Sequence, residues 1–302
     1  LPHVPPGTPP PATAPVLGPT AALENRWILA RYARTVDEVD RGFREFEFTR
    51  AATALHTFVW HDLADRYVEI AKEALAGGRG EPARRESQAV LLFVVERTLR
   101  LLHPFVPHVT EELWHALPHP DGFLARARWP SPTEAAVDPT AEAEIAPVLD
   151  AAHLLRNLRS DEHVPPSATP RAWIRPTGAD ASATLTAHRA IVARLANLGT
   201  LDLLPPDAPP PPGASGRVAA FGECFLERPP ASAASSDALE RERSKLAELL
   251  AKARGRLADP GFRGRAPPAV VAETEAKASE LEVRLARLDE HLKEAASSAG
   301  AK

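Results

Sequence analysis

The sequence predicts a mainly α protein in three parts: a helical bundle, a small α+β module and a C-terminal antiparallel coiled-coil hairpin. Three observations predict it. Residues 23–116 carry apolar stripes at steps of three and four. Residues 151–230 mix helical periodicity with short apolar runs suited to strands. From Asp237 onward, two sets of leucines at heptad spacing flank a break rich in Pro and Gly. A chain of 302 residues is long enough for about two domains.

Residues 1–20 hold Pro2, Pro5, Pro6, Pro9, Pro10, Pro11, Pro15 and Pro19. Proline at this density removes backbone donors and blocks helix, so a disordered or polyproline-like linker is expected. The helical part follows over 21–150. Ile28, Tyr32, Val36, Val39, Phe43 and Phe46 form one stripe. Leu55, Val59, Leu63, Tyr67 and Ile70 form a second, after a cap at Thr49. Gly77-Gly78-Arg79-Gly80 ends that helix. The run Ala89 to Val95 is apolar on all sides and suits a central helix. Pro104 and Pro107 end it, and Thr110 with Glu111 and Glu112 opens the next. Phe105, Val109 and Trp114 are expected in the core of this corner.

Residues 118–141 read as a loop with Pro118, Pro120, Pro130 and Pro132. A helix runs from about Thr140 to Asp161 and stops at Val164-Pro165-Pro166. Within the α+β module over 151–230, Ala172 to Arg175 suits a strand, Ala181 to Leu198 a helix, and Arg217 to Leu226 a second strand. Pro205, Pro206 and Pro209 to Pro212 link the last two. The hairpin over 237–295 pairs Leu239, Leu246, Leu250, Ala253 and Leu257 with Val271, Thr274, Ala278, Leu281, Leu285, Leu288 and Leu292. Asp259-Pro260-Gly261-Phe262 and Pro267-Pro268 force the reversal between them.

Composition limits the chemistry. A formal charge of −4 argues against a uniformly basic nucleic-acid binder, so any RNA contact must come from local basic patches. The single cysteine, Cys224, excludes an internal disulfide and a multi-cysteine zinc site. It fits a reducing compartment. His56, His61, His103 and His108 make no metal motif. Glu111-Glu112 reads as helix N-terminal charge rather than an acid/base pair. No apolar stretch approaches the roughly 18–20 residues that span a bilayer, so no membrane partner is expected. The chain begins with Leu and contains no Met, which reads as a piece of a longer protein.

The run Leu101-Leu102-His103-Pro104-Phe105-Val106-Pro107-His108-Val109-Thr110-Glu111-Glu112-Leu113-Trp114 resembles a hallmark of the anticodon-binding domain of class I aminoacyl-tRNA synthetases. Other blocks resemble the valyl-tRNA synthetase family in order along the chain. They are Glu24 to Arg31, Phe58 to Glu69, and Arg156-Asn157-Leu158-Arg159-Ser160 with Val164-Pro165-Pro166. Leu257-Ala258-Asp259-Pro260-Gly261-Phe262-Arg263, with Ala266-Pro267 and Val270-Val271, looks like the C-terminal coiled-coil arm of that family. The resemblance spans about residues 23–293.

It implies a parent enzyme that joins valine to its tRNA using ATP with magnesium. The two class I signatures, His-Ile-Gly-His and Lys-Met-Ser-Lys-Ser, do not occur here. The catalytic and editing domains are therefore not in this chain, which has no catalytic residue, metal or cofactor of its own and should be inactive alone. The helix that opens the family's bundle is missing, its place taken by residues 1–20. The implied partner is valine tRNA, with a monomeric parent in the cytoplasm or, alternatively, the mitochondrial matrix.

The resemblance also implies roles for residues. In the bundle, Arg26, Arg31, Arg66 and Lys72 are candidates to meet the unstacked bases of the anticodon loop. The alternative for Arg26 and Arg66 is pairing with Asp62, Asp65 or Glu69 at helical spacing. Arg156 and Arg159 would touch phosphates of the tRNA body, or else be solvated or pair with Asp161 and Glu162. Between 252 and 265, Lys252, Arg254, Arg256, Arg263 and Arg265 face Asp259 alone, a locally basic tip that favours RNA. The family's arm reaches the tRNA elbow, and Lys277 aligns with a basic residue there. Two rival readings remain: a free-standing RNA-binding protein derived from the synthetase, and a helical scaffold whose hairpin pairs with protein.

Overall fold

The computed structural model describes residues 8–18, 20–117, 122–228, 233–259, 261–262 and 268–299. The chain divides into two compact units, with the break after Arg228.

The first unit opens with α1 (Leu23–Arg44), which buries Trp27, Ile28, Tyr32, Val36 and Val39 along the expected stripe. Phe46 departs from it: the residue is 79% exposed with φ 60. Gly42 carbonyl accepts the Glu47 N–H at 2.7 Å, closing the helix end. Phe46 thus takes the left-handed position usually given to Gly, and its ring turns outward. A single long helix follows, as α2 (Phe48–Thr57), a π-helical segment (Phe58–Tyr67) and α3 (Val68–Leu75). It opens at Phe48, just before the expected cap at Thr49. Leu55, Leu63, Tyr67 and Ile70 are buried as the stripe predicts, and Phe58 joins them.

The next helix, α4 (Glu81–Leu102), is the central one, with Val90 through Val94 all buried. The corner differs from expectation in one respect. α5 (Pro107–His115) begins at Pro107 itself, where the missing N–H costs nothing, rather than at Thr110. Thr110 instead ties the corner: its hydroxyl donates to Val106 O at 2.9 Å and lies 2.8 Å from His103 Nδ1. Trp114 is buried against Leu99 and Leu124, but Val109 is 60% exposed rather than in the core.

Asp138 caps α6 (Pro139–Asp161) by accepting the Ala141 N–H at 2.9 Å. This helix packs against α1 on one side and against the sheet and its helices on the other. The sheet has strand order β2-β1-β4-β3 and comprises β1 (Arg171–Pro176), β2 (Thr200–Leu203), β3 (Ala214–Ala219) and β4 (Gly222–Glu227). β1 and β2 are parallel and the other pairs antiparallel. Parallel neighbours need a crossover, supplied by α7 (Ala179–Ala187) and α8 (Arg189–Leu195). The one helix expected over 181–198 is thus broken at His188, and the strand expected over 217–226 is a hairpin. Gly222 makes that turn at φ +143, and a Cβ there would lie 2.3 Å from Arg175 O. β2 has no counterpart among the expected elements.

Residues 8–18 lack regular secondary structure, as proline dictates, yet they are not a free linker. Arg97 donates to Ala12 O at 2.7 Å, Ala14 N–H donates to Glu134 O at 3.3 Å, and Leu17 packs on the core.

The second unit consists of α9 (Ala233–Ala258) and α10 (Pro268–Ala299). Leu246 and Leu250 pack with Ala278, Leu281 and Leu288, flanked by Ala253, Leu257, Leu285 and Leu292. Arg243 pairs with Asp289 and Arg254 with Glu282, so the register runs in opposite directions. Between them the Asp259 carboxylate accepts the Gly261 N–H at 2.8 Å, and Asp259 O accepts the Phe262 N–H at 3.1 Å.

Candidate nucleic-acid interface

Asp62 organises the bundle's cations. Its carboxylate is buried between α1 and the π-helical segment. Arg31 Nε donates to one oxygen at 2.9 Å and Arg66 to the other at 3.1 Å. Two guanidiniums thus share one buried carboxylate, and both remain about one-third exposed. One turn on, Asp65 receives both arms of Arg156 at 2.9 and 3.0 Å. That fork holds the Asp65 carboxyl below the usual carboxylate range, with Arg66 adding a smaller attraction. Arg31, Arg66 and Arg156, predicted separately, therefore lie together around Asp62 and Asp65.

Three other candidates do not join them. Arg26 turns toward α6 and binds Asp138 at 2.8 Å, fixing the start of that helix. Lys72 pairs with Glu69 at 2.6 Å on the exposed face of α3. Such surface pairs contribute about 0–1 kcal/mol. Arg159 corrects the expectation of a phosphate contact. It is buried, and its guanidinium donates to Ala168 O (3.0 Å), Asn197 O (2.7 Å) and Pro165 O (3.2 Å). It staples the loop after α6 to the turn after α8 and offers nothing to a phosphate.

In the second unit, cross-helix geometry alters the charge count. Arg254 is held by Glu282 at 2.8 Å and Lys252 by Glu248 at 2.7 Å. The basic window therefore faces more acid than Asp259. Arg256 and Lys277 are exposed and have no charge partner among the described residues. Arg263 and Arg265 lie outside the described residues.

Sequence reasoning missed the exposed aromatics of the bundle. Trp60 is 64% exposed on the π-helical segment, beside His56. The signal was present: Trp60 falls off the stripe that joins Leu55, Val59 and Leu63, where a large aromatic has no core to enter.

The Cys224 thiol is buried in the sheet, and burial pushes its pKa up to about 12. The buried Tyr32 and Tyr67 hydroxyls are raised for the same reason. Among the described residues no cluster of three His, Cys, Asp or Glu side chains could hold a metal ion, and no helix is long and apolar enough to cross a membrane.

Comparison with known proteins bears on the same surfaces. Residues 25–174 match the family model of the anticodon-binding domain of tRNA ligase. Residues 233–296 match the valyl tRNA synthetase tRNA binding arm. A valine–tRNA ligase of Bacillus cereus is 32% identical over 263 residues, 85% of this chain and 29% of the relative. One from Rhizorhabdus wittichii is 33% identical over 285 residues, covering 89% and 31%. One from Parasynechococcus marenigrum is 32% identical over 271 residues, covering 85% and 30%. The chain thus spans about three-tenths of the length of these relatives.

Proposed function

We infer that this chain belongs to the class I aminoacyl-tRNA synthetase family and is the tRNA-binding C-terminal portion of a valine–tRNA ligase. The observation that carries the reading is the order of the two matches: an anticodon-binding domain, then a valyl-type tRNA-binding arm, on one chain. In the intact enzyme, valine would be joined to its tRNA using ATP by residues outside this chain. These 302 residues hold the nucleic acid.

The bundle docks the anticodon loop. Loop bases are unstacked and expose their edges, which a guanidinium reads well because it offers several fixed donors. Arg31 and Arg66 are pre-oriented by the buried Asp62, and Arg156 by Asp65, so little side-chain freedom is lost on binding. The two helices of the second unit form a coiled-coil hairpin that reaches the tRNA elbow. Arg254, Arg256 and Lys277 on its flanks, with Arg263 and Arg265 in its tip sequence, meet phosphates there. Phosphate contacts of this kind position the partner without reading its sequence.

Hydroxyl-radical footprinting of valine tRNA tests both contacts. The chain should protect the anticodon loop and the outer corner of the tRNA. An Arg256→Glu, Lys277→Glu double variant should lose protection at the corner and keep it at the loop. Protection at neither place overturns the reading.

A further inference from the structure

We propose that Trp60 and His56 form a stacking shelf for one unpaired nucleobase of the bound RNA. The inference rests on the tRNA-binding reading above.

The shelf is built by the helix itself. Phe58, Asp62, Leu63 and Tyr67 turn inward and anchor the π-helical segment. Trp60 is left on the outer face at 64% exposure. π-helical turns are rare and frequently lie at functional sites. The His56 ring, one turn earlier, lies nearly parallel to the indole, with a 6° interplanar angle and centroids 6.3 Å apart. His61 meets His56 edge-on at 6.2 Å. The three rings thus gather on one exposed face of the helix. An exposed indole costs solubility without helping the core, so its presence in a cluster of aromatic rings points to an occupant.

Charge favours a nucleobase over an acidic or purely apolar partner. The outward residues Thr53, His56, Thr57, Trp60, His61 and Ala64 include no carboxylate. The two acids of the segment are already taken, Asp62 by Arg31 and Arg66, and Asp65 by Arg156. Next to it along the helix, a groove of about 470 Å³ is lined by Arg31, Thr35, Glu38, Arg50, Thr53 and Thr57, with Arg50 paired to Glu38, Glu45 and Glu47. A base laid on Trp60 would bring its sugar and phosphate toward the threonine hydroxyls and Arg31. Stacking is tolerant of base identity because every base has a π-face, so the shelf adds affinity and orientation, while arginines read the edges.

The test compares the wild-type chain with Trp60→Ala, Trp60→Phe and His56→Ala. Dissociation constants for valine tRNA are measured alongside circular dichroism and Tm. A second readout places 2-aminopurine singly at each anticodon-loop position. Loss of one base–aromatic stack weakens binding by roughly 5- to 150-fold. Trp60→Ala should fall in that range, Trp60→Phe should stay within about three-fold of wild type because it keeps a π-face, and His56→Ala should lie between. One 2-aminopurine position should be quenched by wild type and not by Trp60→Ala. A folded Trp60→Ala that binds as tightly as wild type overturns the shelf alone. A folded wild-type chain that does not bind valine tRNA overturns the shelf and the tRNA-binding reading together.

Discussion

Arg159 shows how a residue's role is set by what surrounds it. In sequence it is one of two cations in Arg156-Asn157-Leu158-Arg159, three positions from Arg156 and on nearly the same helical face. In the fold Arg156 grips an exposed acid while Arg159 satisfies three backbone carbonyls. Arg159→Leu should destabilise the chain by about 3 kcal/mol, since buried acceptors lose a charged donor. Arg159→Lys should recover less than half, because one ammonium cannot reach all three oxygens in the same geometry. Urea midpoints check both, with tRNA affinity of the folded variants nearly unchanged. Asp65 gives a pH-dependent prediction. Its folded carboxyl is held low by Arg156, so the stabilisation is present above the unfolded value of about 3.9 and fades as pH falls through the folded one. The stability gap between wild type and Arg156→Met should therefore shrink below about pH 4. Cys224, with its pKa pushed up to about 12, should resist thiol reagents at pH 8 until the chain is unfolded. The partners of Arg26, Arg31 and Arg156 come from 31 to 112 residues away. No local spacing rule finds them, which is why sequence could nominate the cations but not sort them.

At the scale of elements, periodicity was legible wherever one face alone is buried. The stripe Ile28, Tyr32, Val36, Val39 is fully buried, and the Leu246, Leu250, Leu281, Leu288 seam is buried as well. It failed where backbone geometry changes the period or ends it unusually. Phe46 looks like the next stripe residue but lies past the helix end at positive φ. His188 breaks a continuous apolar pattern into two helices, and Gly222 turns one apparent strand into two. β2 is only four residues long and takes its register from β1, so it has little signal of its own. Among the described residues the seam between α9 and α10 carries few buried side chains, so each matters. Leu281→Ala should cost about 2–4 kcal/mol and, by hydrogen exchange, lower amide protection in α9 and α10 while leaving the sheet unchanged.

For the whole molecule, the chain is acidic overall, so the proposed binding to RNA would depend on where its cations stand rather than on how many there are. Many are already paired, which argues for a modest number of phosphate contacts and a shallow salt dependence. The family blocks were legible in sequence, and both tRNA-binding models fall on them. The grouping of Arg31, Arg66 and Arg156 and the exposure of Trp60 were not, because both depend on which faces the bundle closes. The most direct test of tRNA binding is equilibrium titration of this chain with valine tRNA and with an unrelated tRNA, from about 50 to 200 mM salt. Tighter binding of valine tRNA at every salt, with affinity falling by less than the roughly 10³–10⁵ typical of proteins making 6–10 phosphate contacts, is the predicted result. Equal affinity for the two tRNAs, or no binding by a folded chain, would contradict it.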